Sequence, residues 1–408
     1  MGGLLKIAFR NIFRNLRRSL LTIIISFLGV FVLMMSSSFL GGMFDNLTGE
    51  SIKTTGHVRI TSTDYETKER IMSLTGNVAD FEERKETIAK SPGVVTVTGR
   101  LRFPSLVYRE SDDQNKEGLG LGIEKEDIRI LNFKNYIYQG RPLTPDSQDE
   151  IMMGRQLAES LGIHAGDEVT LLSRTLYNST YALNYKVVGL FDMQNGKLNK
   201  TFYISLASAQ ELLDMSGRVT EILVYGQSSD GAAGLLGRLK KLPGFNELLL
   251  KRWDQIGFAP VFMGIVRVVS TIMQLVFILL AALGIANTMM MAVFERKSEI
   301  GLLKSMGMHE HEITLLFTME GFFLGFIGTL LGLAGGGMVA FWLFKYGIDL
   351  GSSLEGVPMV VANIIYGTFD SGIFLKGLIL GLAAAILASL LPALNGVRLK
   401  PTEALRKE

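Results

Sequence analysis

The chain has 408 residues, of which 48% are hydrophobic and 20% charged, and its mean hydropathy is +0.30. This balance is too apolar for a wholly soluble protein and too charged for one buried entirely in a bilayer, so it predicts membrane spans joined to a water-exposed domain. The absence of cysteine excludes disulfides and thiolate metal sites, and the formal charge of +2 gives no indication of nucleic-acid binding.

The chain begins with a basic amphipathic segment. Within residues 1–19, apolar side chains such as Ile12 and Leu16 share helical spacing with Arg10, Arg14 and other cations. This pattern predicts either a cytoplasmic amphipathic helix along the inner leaflet or a cytoplasmic extension of the first span. The apolar run that follows is too long for a signal-peptide core, so we expect a retained anchor.

Four apolar stretches are long enough to cross a bilayer core, which needs roughly 20 helical residues. They are residues 20–43, 266–294, 314–344 and 373–394. The sequence therefore predicts an α-helical membrane protein with four transmembrane helices.

The positions of Lys and Arg predict how these spans are oriented. Cations cluster before the first span, after the second and after the fourth, and almost none lies in the short loop 345–372. Because Lys and Arg are retained on the cytoplasmic side, both termini (1–19 and 395–408) and the segment 295–313 are expected in the cytoplasm. Residues 44–265 and the short loop are then extracytoplasmic, which in a bacterium places the chain in the inner membrane with a periplasmic domain.

The segment 44–265 is long enough to fold around its own core. Alternating or β-rich sequence predicts strands at 57–62, 94–108, 168–172, 185–191, 201–204 and 221–225. Helical spacing predicts helices between them at 81–90, 155–161, 206–215 and 231–242. A large α+β domain between the first and second spans is the expected fold.

No catalytic or metal site is predicted. The glycine-rich run 118–125 ends in a lysine that is neither preceded by glycine nor followed by Ser or Thr, so it does not match a phosphate-binding loop. His309 and His311 fall on different sides of a helix, with no carboxylate at metal-ligand spacing. We therefore expect neither an enzyme nor a cofactor bound by this chain.

The third and fourth spans carry small residues at helical spacing. Such faces allow close helix packing, within the chain or across a dimer; the residues are Gly321, Gly325, Gly328, Gly332, Gly336, Gly377, Gly381 and Ala385. Glu320 lies about two turns into the third span, where an unpaired charge is costly, so it should have a partner, a wet surface or a position at headgroup level. Arg267, near the outer edge of the second span, is expected to be an interfacial anchor.

The cytoplasmic segment after the second span resembles a signature of the ABC transporter permease family that includes the cell-division protein FtsX, the macrolide exporter and the lipoprotein-releasing (LolC/LolE-like) proteins. The signature, Arg-x-x-Glu-Ile-Gly followed by a basic residue and glycine, is matched by Arg296, Glu299, Ile300, Gly301, Lys304, Ser305 and Gly307. The tail, with Pro392 and the Pro-Thr-Glu-Ala-Leu-Arg run at 401–406, is similar to the family ending.

The resemblance implies that the segment is a coupling helix in a groove of a separate ABC ATPase, which would bind ATP and Mg²⁺. The implied coupling residues are Glu295, Arg296, Lys297, Glu299, Ile300, Gly301, Leu303, Lys304 and Gly307. Ile300, Leu303 and Met306 would form its apolar contact face. Further implied partners are a second permease, as a copy or a paralogue, and a periplasmic accessory protein.

Three functions follow from the resemblance. The first is mechanical transmission from the ATPase to a MacB-like periplasmic domain that extracts or exports lipoproteins or other amphipathic substrates. The alternatives are an FtsX-like signalling subunit that activates a cell-wall hydrolase, and efflux of peptides or small amphiphiles. In the lipoprotein-releasing subunit that engages a chaperone, a proline-containing hairpin lies where this chain has the proline-free stretch 173–184.

Overall fold

The computed structural model describes residues 16–68, 72–109, 115–144, 147–193, 198–349 and 364–397. The predicted amphipathic helix at 1–19 and the tail at 395–408 lie almost wholly outside these ranges, as does the middle of the loop 345–372. The described residues form two compact units: a membrane unit of residues 16–45, 264–349 and 364–397, and a large domain of residues 46–263.

The helices and strands follow in chain order. The helices are α1 (Leu16–Thr55), α2 (Tyr65–Lys68), α3 (Phe81–Ala89), α4 (Lys125–Leu131), α5 (Arg155–Leu161), α6 (Leu206–Leu213), α7 (Ala232–Leu239), α8 (Ala259–Glu295), α9 (Lys297–Ser305), α10 (Glu310–Tyr346) and α11 (Ser371–Val397). The strands are β1 (Val58–Ser62), β2 (Val94–Arg109), β3 (Asn115–Ile123), β4 (Ile137–Gly140), β5 (Glu150–Gly154), β6 (Glu168–Arg174), β7 (Thr180–Phe191), β8 (Thr201–Ser205), β9 (Glu221–Gly226), β10 (Leu248–Arg252), β11 (Ile348–Asp349) and β12 (Ile364–Ile365).

Within the described residues, four helices are long and apolar enough to cross a membrane, namely α1, α8, α10 and α11. The first, α1, has 40 residues and is about 60 Å long at 1.5 Å per residue, twice the thickness of a bilayer core. It ends at Gly56, whose φ of +68° suits glycine and whose backbone N–H donates to Ile52 O at 2.8 Å. The helix therefore continues well past the apolar stretch 20–43.

The large domain is built on one ten-stranded mixed sheet. Its strand order is β10-β1-β9-β2-β3-β8-β5-β7-β4, and β6 pairs with both β2 and β7. The pairs β3–β8 and β5–β7 are parallel, whereas the other strand pairs are antiparallel. The predicted α+β fold is confirmed, and its apolar core lies between this sheet and the helices α3, α5, α6 and α7.

The sequence did not predict the helices α2 and α4 or the strands β3, β4, β5, β10, β11 and β12. The most instructive of these is β3, which contains the glycine-rich run at 118–122 and pairs with β2 and β8. A Cβ at Gly120 would lie 2.6 Å from ring atoms of both Phe103 and Phe202, and these two rings contact each other edge to face at 5.9 Å. Gly120 leaves space for these two rings in the core. The glycine-rich run is therefore part of a strand and allows aromatic side chains to pack against it.

The stretch 173–184, between the predicted strands 168–172 and 185–191, is mostly part of a paired hairpin. Strands β6 and β7 extend toward each other until Arg174 pairs with Thr180, which leaves Thr175–Ser179 as the turn. Tyr177, in this turn, is 70% exposed. Because polar and aromatic residues replace the simple apolar alternation here, periodicity underestimated the length of the hairpin.

Candidate functional site

The candidate site is the segment that joins α8 to α10, and its middle is the nine-residue helix α9. Arg296 interrupts the helix with φ −99° and ψ 20°, which separates α9 from α8. Gly307 has φ +88°; its N–H donates to Lys304 O at 3.0 Å, and the N–H of Met308 donates to Leu303 O at 3.1 Å. These two bonds form a Schellman cap, which is the local reason for a glycine at the end of the signature.

The two histidines lie at the start of α10. The backbone N–H of His309 donates to the Glu312 carboxylate at 3.0 Å, as in a capping box, and the rings of His309 and His311 stack at 5.5 Å. In the part of the chain that the structure describes, no three His, Asp or Glu side chains are grouped as metal ligands. The observed role of His309 is to begin α10.

Glu320 lies inside α10 and forms a buried ion pair with Arg296. Arg296 Nη1 donates to Glu320 Oε2 at 2.8 Å, and the two side chains are 5% and 7% exposed. Removing one partner of such a pair leaves an uncompensated buried charge. The pair therefore fixes the junction between α8 and α9 to α10.

Two other charged residues predicted for coupling, Lys304 and Glu295, also have partners within the chain. Lys304 Nζ lies 2.9 Å from the Glu310 carboxylate in the first turn of α10, and Arg18 at the start of α1 pairs with Glu295 at the end of α8. Arg296 is buried and its side chain bonds to Glu320, so its contact with an ATPase stays a prediction. These ion pairs hold α9 among the ends of three membrane helices.

The three apolar residues of the predicted contact face of α9 lie in different surroundings. Ile300, 1% exposed, packs into a cluster with Ile285, Val293 and Phe317, and Leu303 packs against the same cluster. Gly301 is buried as well. Ile300 and Met306 are six residues apart, which at 3.6 residues per turn places them about 120° apart around the helix. Ile300 can therefore pack into the membrane unit while Met306 is exposed.

A different face of α9 is exposed. Leu302 is 55% and Met306 67% exposed, and Ser298, Glu299 and Ser305 are exposed beside them. The spacing of 298, 302 and 305 places these residues along one side of the helix. The sequence did contain an apolar residue at this place, Leu302, directly after Gly301 of the signature.

The glycine face of α10 contacts two different helices of the same chain. A Cβ at Gly332 would lie 2.7 Å from Val30 Cβ, and one at Gly336 would lie 2.6 Å from Met34 Cβ, both on α1. Gly328 faces Ser26 of α1 in the same way. These three glycines allow α1 to approach α10 at backbone distance.

The first two glycines of that face approach α11 instead. Gly321 lies against Ser389, and Gly325 lies against Ala385. In the described residues, Ala385 therefore packs against a helix of its own chain. On α11, Gly377 lies against Leu333 and Met34, and Gly381 lies against Thr329 and Val30. The described contacts of all these small residues lie inside the membrane unit.

Sequence reasoning missed a cluster at the last turn of α1. Arg100 on β2 donates to the carbonyl oxygens of Thr54 at 2.5 Å and Lys53 at 3.3 Å, and the Tyr225 hydroxyl donates to Lys53 O at 3.0 Å. The Asp127 carboxylate on α4 accepts two bonds from Arg100, at 2.6 and 2.9 Å. Carbonyl groups that a helix end leaves unpaired are thus capped by a buried arginine.

The charge of this cluster is stabilised by its own geometry. Burial alone would lower the pKa of Arg100, but the Asp127 charge outweighs burial and raises the pKa above its usual value. Burial raises the pKa of the Tyr225 hydroxyl, so it stays protonated as a donor. Thr54, Arg100 and Asp127 are far apart in the chain and meet only in the folded domain. No sequence motif could therefore have predicted this cluster.

Comparison with known families covers most of the chain. Residues 19–241 match the family described as MacB-like periplasmic core domain, and residues 271–401 match the family described as FtsX-like permease C-terminal. The second match contains α9 and Glu320. The first contains α1 from residue 19 onward and the Arg100 cluster.

Similar proteins include characterised and uncharacterised permeases. An uncharacterized ABC transporter permease of Mycobacterium tuberculosis is 27% identical over 257 residues, covering 63% of this chain and 29% of that protein. The lipoprotein-releasing system transmembrane protein LolC of Xylella fastidiosa is 26% identical over 275 residues, covering 63% and 65%. These two matches span less than two thirds of the relatives' own length. An uncharacterized ABC transporter permease of Methanocaldococcus jannaschii is 22% identical and covers 100% of this chain and 98% of the relative.

Proposed function

Since this chain belongs to the ABC transporter permease family with a MacB-like periplasmic core domain and an FtsX-like C-terminal domain, we propose that it is a membrane subunit driven by a separate ABC ATPase. In this proposal ATP and Mg²⁺ bind the ATPase, and both chain termini and α9 lie in the cytoplasm. A second permease, identical or paralogous, completes the transporter. The large domain is periplasmic and acts on the substrate.

The observation that carries the proposal is the two-sided packing of α9. Its inner side is fixed to the membrane helices by Ile300 and by the Arg296–Glu320 pair, while Leu302 and Met306 are exposed on its outer side. Exposed apolar side chains beside polar ones are typical of protein interfaces, and methionine is enriched there. An ATPase groove that binds the outer side could therefore push directly on the membrane helices.

The packing of the membrane unit supports transmission of that push. Displacement of α9 would reach α10 through Arg296 and Glu320, and then α1 and α11 through the close glycine contacts. Helices carry displacement along their axes because their backbone bonds are internal, and close-packed interfaces change between discrete arrangements. The unbroken α1 would carry it to the turn held by Arg100.

For the substrate, we propose lipoproteins or other amphipathic molecules taken from the membrane. The support is the similarity to proteins named for lipoprotein release. The test is ATP-dependent release of membrane-anchored lipoproteins from spheroplasts that contain the chain and its ATPase. Release would support the proposal; no release of any lipoprotein, with a cell-wall hydrolase co-purifying instead, would contradict it and favour signalling.

The ATPase contact is tested by substituting the exposed face of α9. In nanodiscs, wild-type chain should bind and stimulate the ABC ATPase that co-purifies with it. The double variant Leu302→Asp, Met306→Asp should lose at least tenfold in ATPase affinity, because two charges would be buried without partners.

A matched control keeps the surface apolar. Leu302→Met with Met306→Leu exchanges side chains of similar volume and should retain near wild-type affinity. If no ATPase co-purifies, or if the aspartate variant binds as well as wild type, α9 is not the coupling helix.

A further inference from the structure

A cleft of about 520 Å³ lies at one end of the membrane unit, between α1, α8 and α11. Four charged residues line it: Asp45 on α1, Arg267 on α8, Asp370 just before α11, and Lys376 on α11. We call it the helix-end cleft. Its volume is within the range of small-molecule and cofactor sites.

The ends of the apolar stretches indicate that the cleft lies at the depth of lipid headgroups. It is at the end of the helices where the chain leaves for the large domain after Asp45 and returns before Arg267. Lys376 is five residues into α11, or about 7 Å of helix rise, and the headgroup layer is about 5–7 Å thick on each side of the hydrocarbon core. The apolar side chains of Leu40 and Phe44 line the same cleft.

The two cations of the cleft have no carboxylate partner among the residues that the structure describes. Within the described ranges, neither Arg267 nor Lys376 forms a salt bridge, and both are exposed. The two carboxylates have neutral partners: Asp45 Oδ2 accepts from the Thr368 hydroxyl at 3.1 Å, and Asp370 Oδ2 accepts from a backbone N–H at 3.0 Å. Both signs of charge are thus available to a ligand.

A buried hydroxyl adds an independent sign of a ligand. Ser37 lines the cleft, and its Oγ is buried with no hydrogen-bond partner among the residues that the structure describes. Buried polar atoms are nearly always hydrogen-bonded. A bound polar group with an oxygen acceptor would satisfy Ser37.

We propose that the helix-end cleft binds the headgroup of a membrane phospholipid that carries both a phosphate and a primary ammonium. Arg267 and Lys376 contact the phosphate through charge-assisted hydrogen bonds, and Asp45 and Asp370 accept from the ammonium. A headgroup with phosphate but no ammonium would leave the two carboxylates facing its negative charge. The acyl chains extend into the bilayer past Leu40 and Phe44. This binding requires no ATPase, so it stands apart from the proposed coupling.

The test is native mass spectrometry of the full chain, delipidated in detergent and titrated with three lipids of identical acyl chains. The probes are phosphatidylethanolamine, phosphatidylcholine and phosphatidylglycerol. Wild type should retain phosphatidylethanolamine at least about fivefold better than either of the others. Soluble glycerophosphoethanolamine at the same concentration should not displace it, because the membrane-anchored lipid is the ligand.

Two double variants test the phosphate-binding cations and the ammonium-binding carboxylates separately. Arg267→Gln with Lys376→Gln should lower phosphatidylethanolamine retention about tenfold, whereas Asp45→Asn with Asp370→Asn should abolish the preference over phosphatidylglycerol. Lys345→Gln is the matched control, since Lys345 is an exposed lysine at the end of α10 that does not line the cleft; it should retain lipid as wild type does. All four cleft residues are exposed, so folding of the variants, checked by gel filtration, should be normal.

Three results would overturn the proposal. One is equal retention of the three lipids by wild type. Another is unchanged retention in the Arg267→Gln, Lys376→Gln variant. The third is displacement by the soluble headgroup, which would assign the site to a soluble phosphodiester.

Discussion

Two buried arginine–carboxylate pairs stand at helix ends, one in each unit, and they are bonded to different extents. In the large domain, Arg100 donates from all three guanidinium nitrogens, to Asp127 and to the last carbonyls of α1. In the membrane unit, Arg296 bonds to Glu320 through Nη1, while its Nε is buried with no partner among the described residues. The first pair is fully connected and the second has an unused donor.

This difference suggests different mechanical roles. A fully bonded buried charge is stable in one geometry, because any displacement breaks several charge-assisted bonds at once. A pair with an unused donor can change its bonds at lower cost. We therefore expect the Arg100 cluster to hold the end of α1 in one geometry, and the Arg296–Glu320 pair to keep α9 linked to α10 while its hydrogen bonds adjust as both helices move.

The largest effect is expected from Arg100→Ala. It leaves Asp127 charged and buried, which should lower the free energy of unfolding of the large domain by about 3–5 kcal/mol. The measurement is urea unfolding of the full chain in detergent, followed by Trp253 fluorescence in a Trp342→Phe background, since the chain has two tryptophans. The exposed Arg129→Ala should change stability by less than about 0.5 kcal/mol. A loss of stability below about 1 kcal/mol in Arg100→Ala would contradict the proposed role of the Arg100 cluster in holding α1.

A smaller effect is expected from Glu320→Gln. The amide keeps the shape and one hydrogen bond but removes the charge, so the loss should be about 2 kcal/mol. The measurement is unfolding of the detergent-solubilised chain by SDS. Glu310→Gln removes the carboxylate of an exposed pair on the same helix, and should cost below about 1 kcal/mol.

The pair itself is isolated by a double substitution. Arg296→Met with Glu320→Leu replaces both charges by apolar groups and should recover most of the lost stability. If the double variant is as unstable as the sum of the two single variants, the residues are not coupled.

The fold class was predictable because it depends on local patterns. Long apolar runs identify membrane helices, and period-two alternation identified strands such as β1 and β2. Strand β3 was not predicted because it is rich in glycine, and glycines such as Gly120 are needed there to leave space for aromatic rings from other strands. That requirement is tertiary, so no local pattern reveals it.

The candidate site was predictable only at the level of its segment. The signature located α9, and the rule that a membrane charge needs a partner singled out Glu320. The rule could not identify Arg296 as that partner, because the pair depends on how α9 folds back against α10. For the same reason, the sequence alone could not show that Ile300 packs into the membrane unit.

A further test asks whether the turn after α9 or the buried pair limits its motion. Gly307→Ala introduces a side chain at φ +88°, which should cost about 1–2 kcal/mol of backbone strain and raise hydrogen exchange in the last turn of α9. Gly217→Ala is a matched control, since it also has positive φ and an added Cβ meets no atom within 4 Å at either site. Equal exchange of α9 in both variants would show that the turn does not hold the helix.

The smallest effect on stability is expected from the more exposed Arg141–Glu150 pair of the large domain. It provides a reference for the two buried arginine–carboxylate pairs. Arg141 and Ser147 both donate to the Glu150 carboxylate. Burial alone would raise the pKa of Glu150, but these hydrogen bonds and the Arg141 charge outweigh it and hold the pKa below its usual value. A carboxylate with a lowered folded-state pKa stabilises the fold above its unfolded pKa and loses this contribution as the pH falls through the folded value.

Glu150→Gln should therefore be less stable than wild type at pH 7, by less than about 1 kcal/mol because the arginine side chain is half exposed. The difference should shrink as the pH falls below about 4.5, where the wild-type carboxylate becomes protonated and resembles the amide. Urea unfolding followed by Trp253 at pH 7, 5 and 3.5 measures it. A difference that grows toward low pH would reverse the sign of the linkage and show that the unfolded state, rather than the native hydrogen bonds, sets the titration of Glu150.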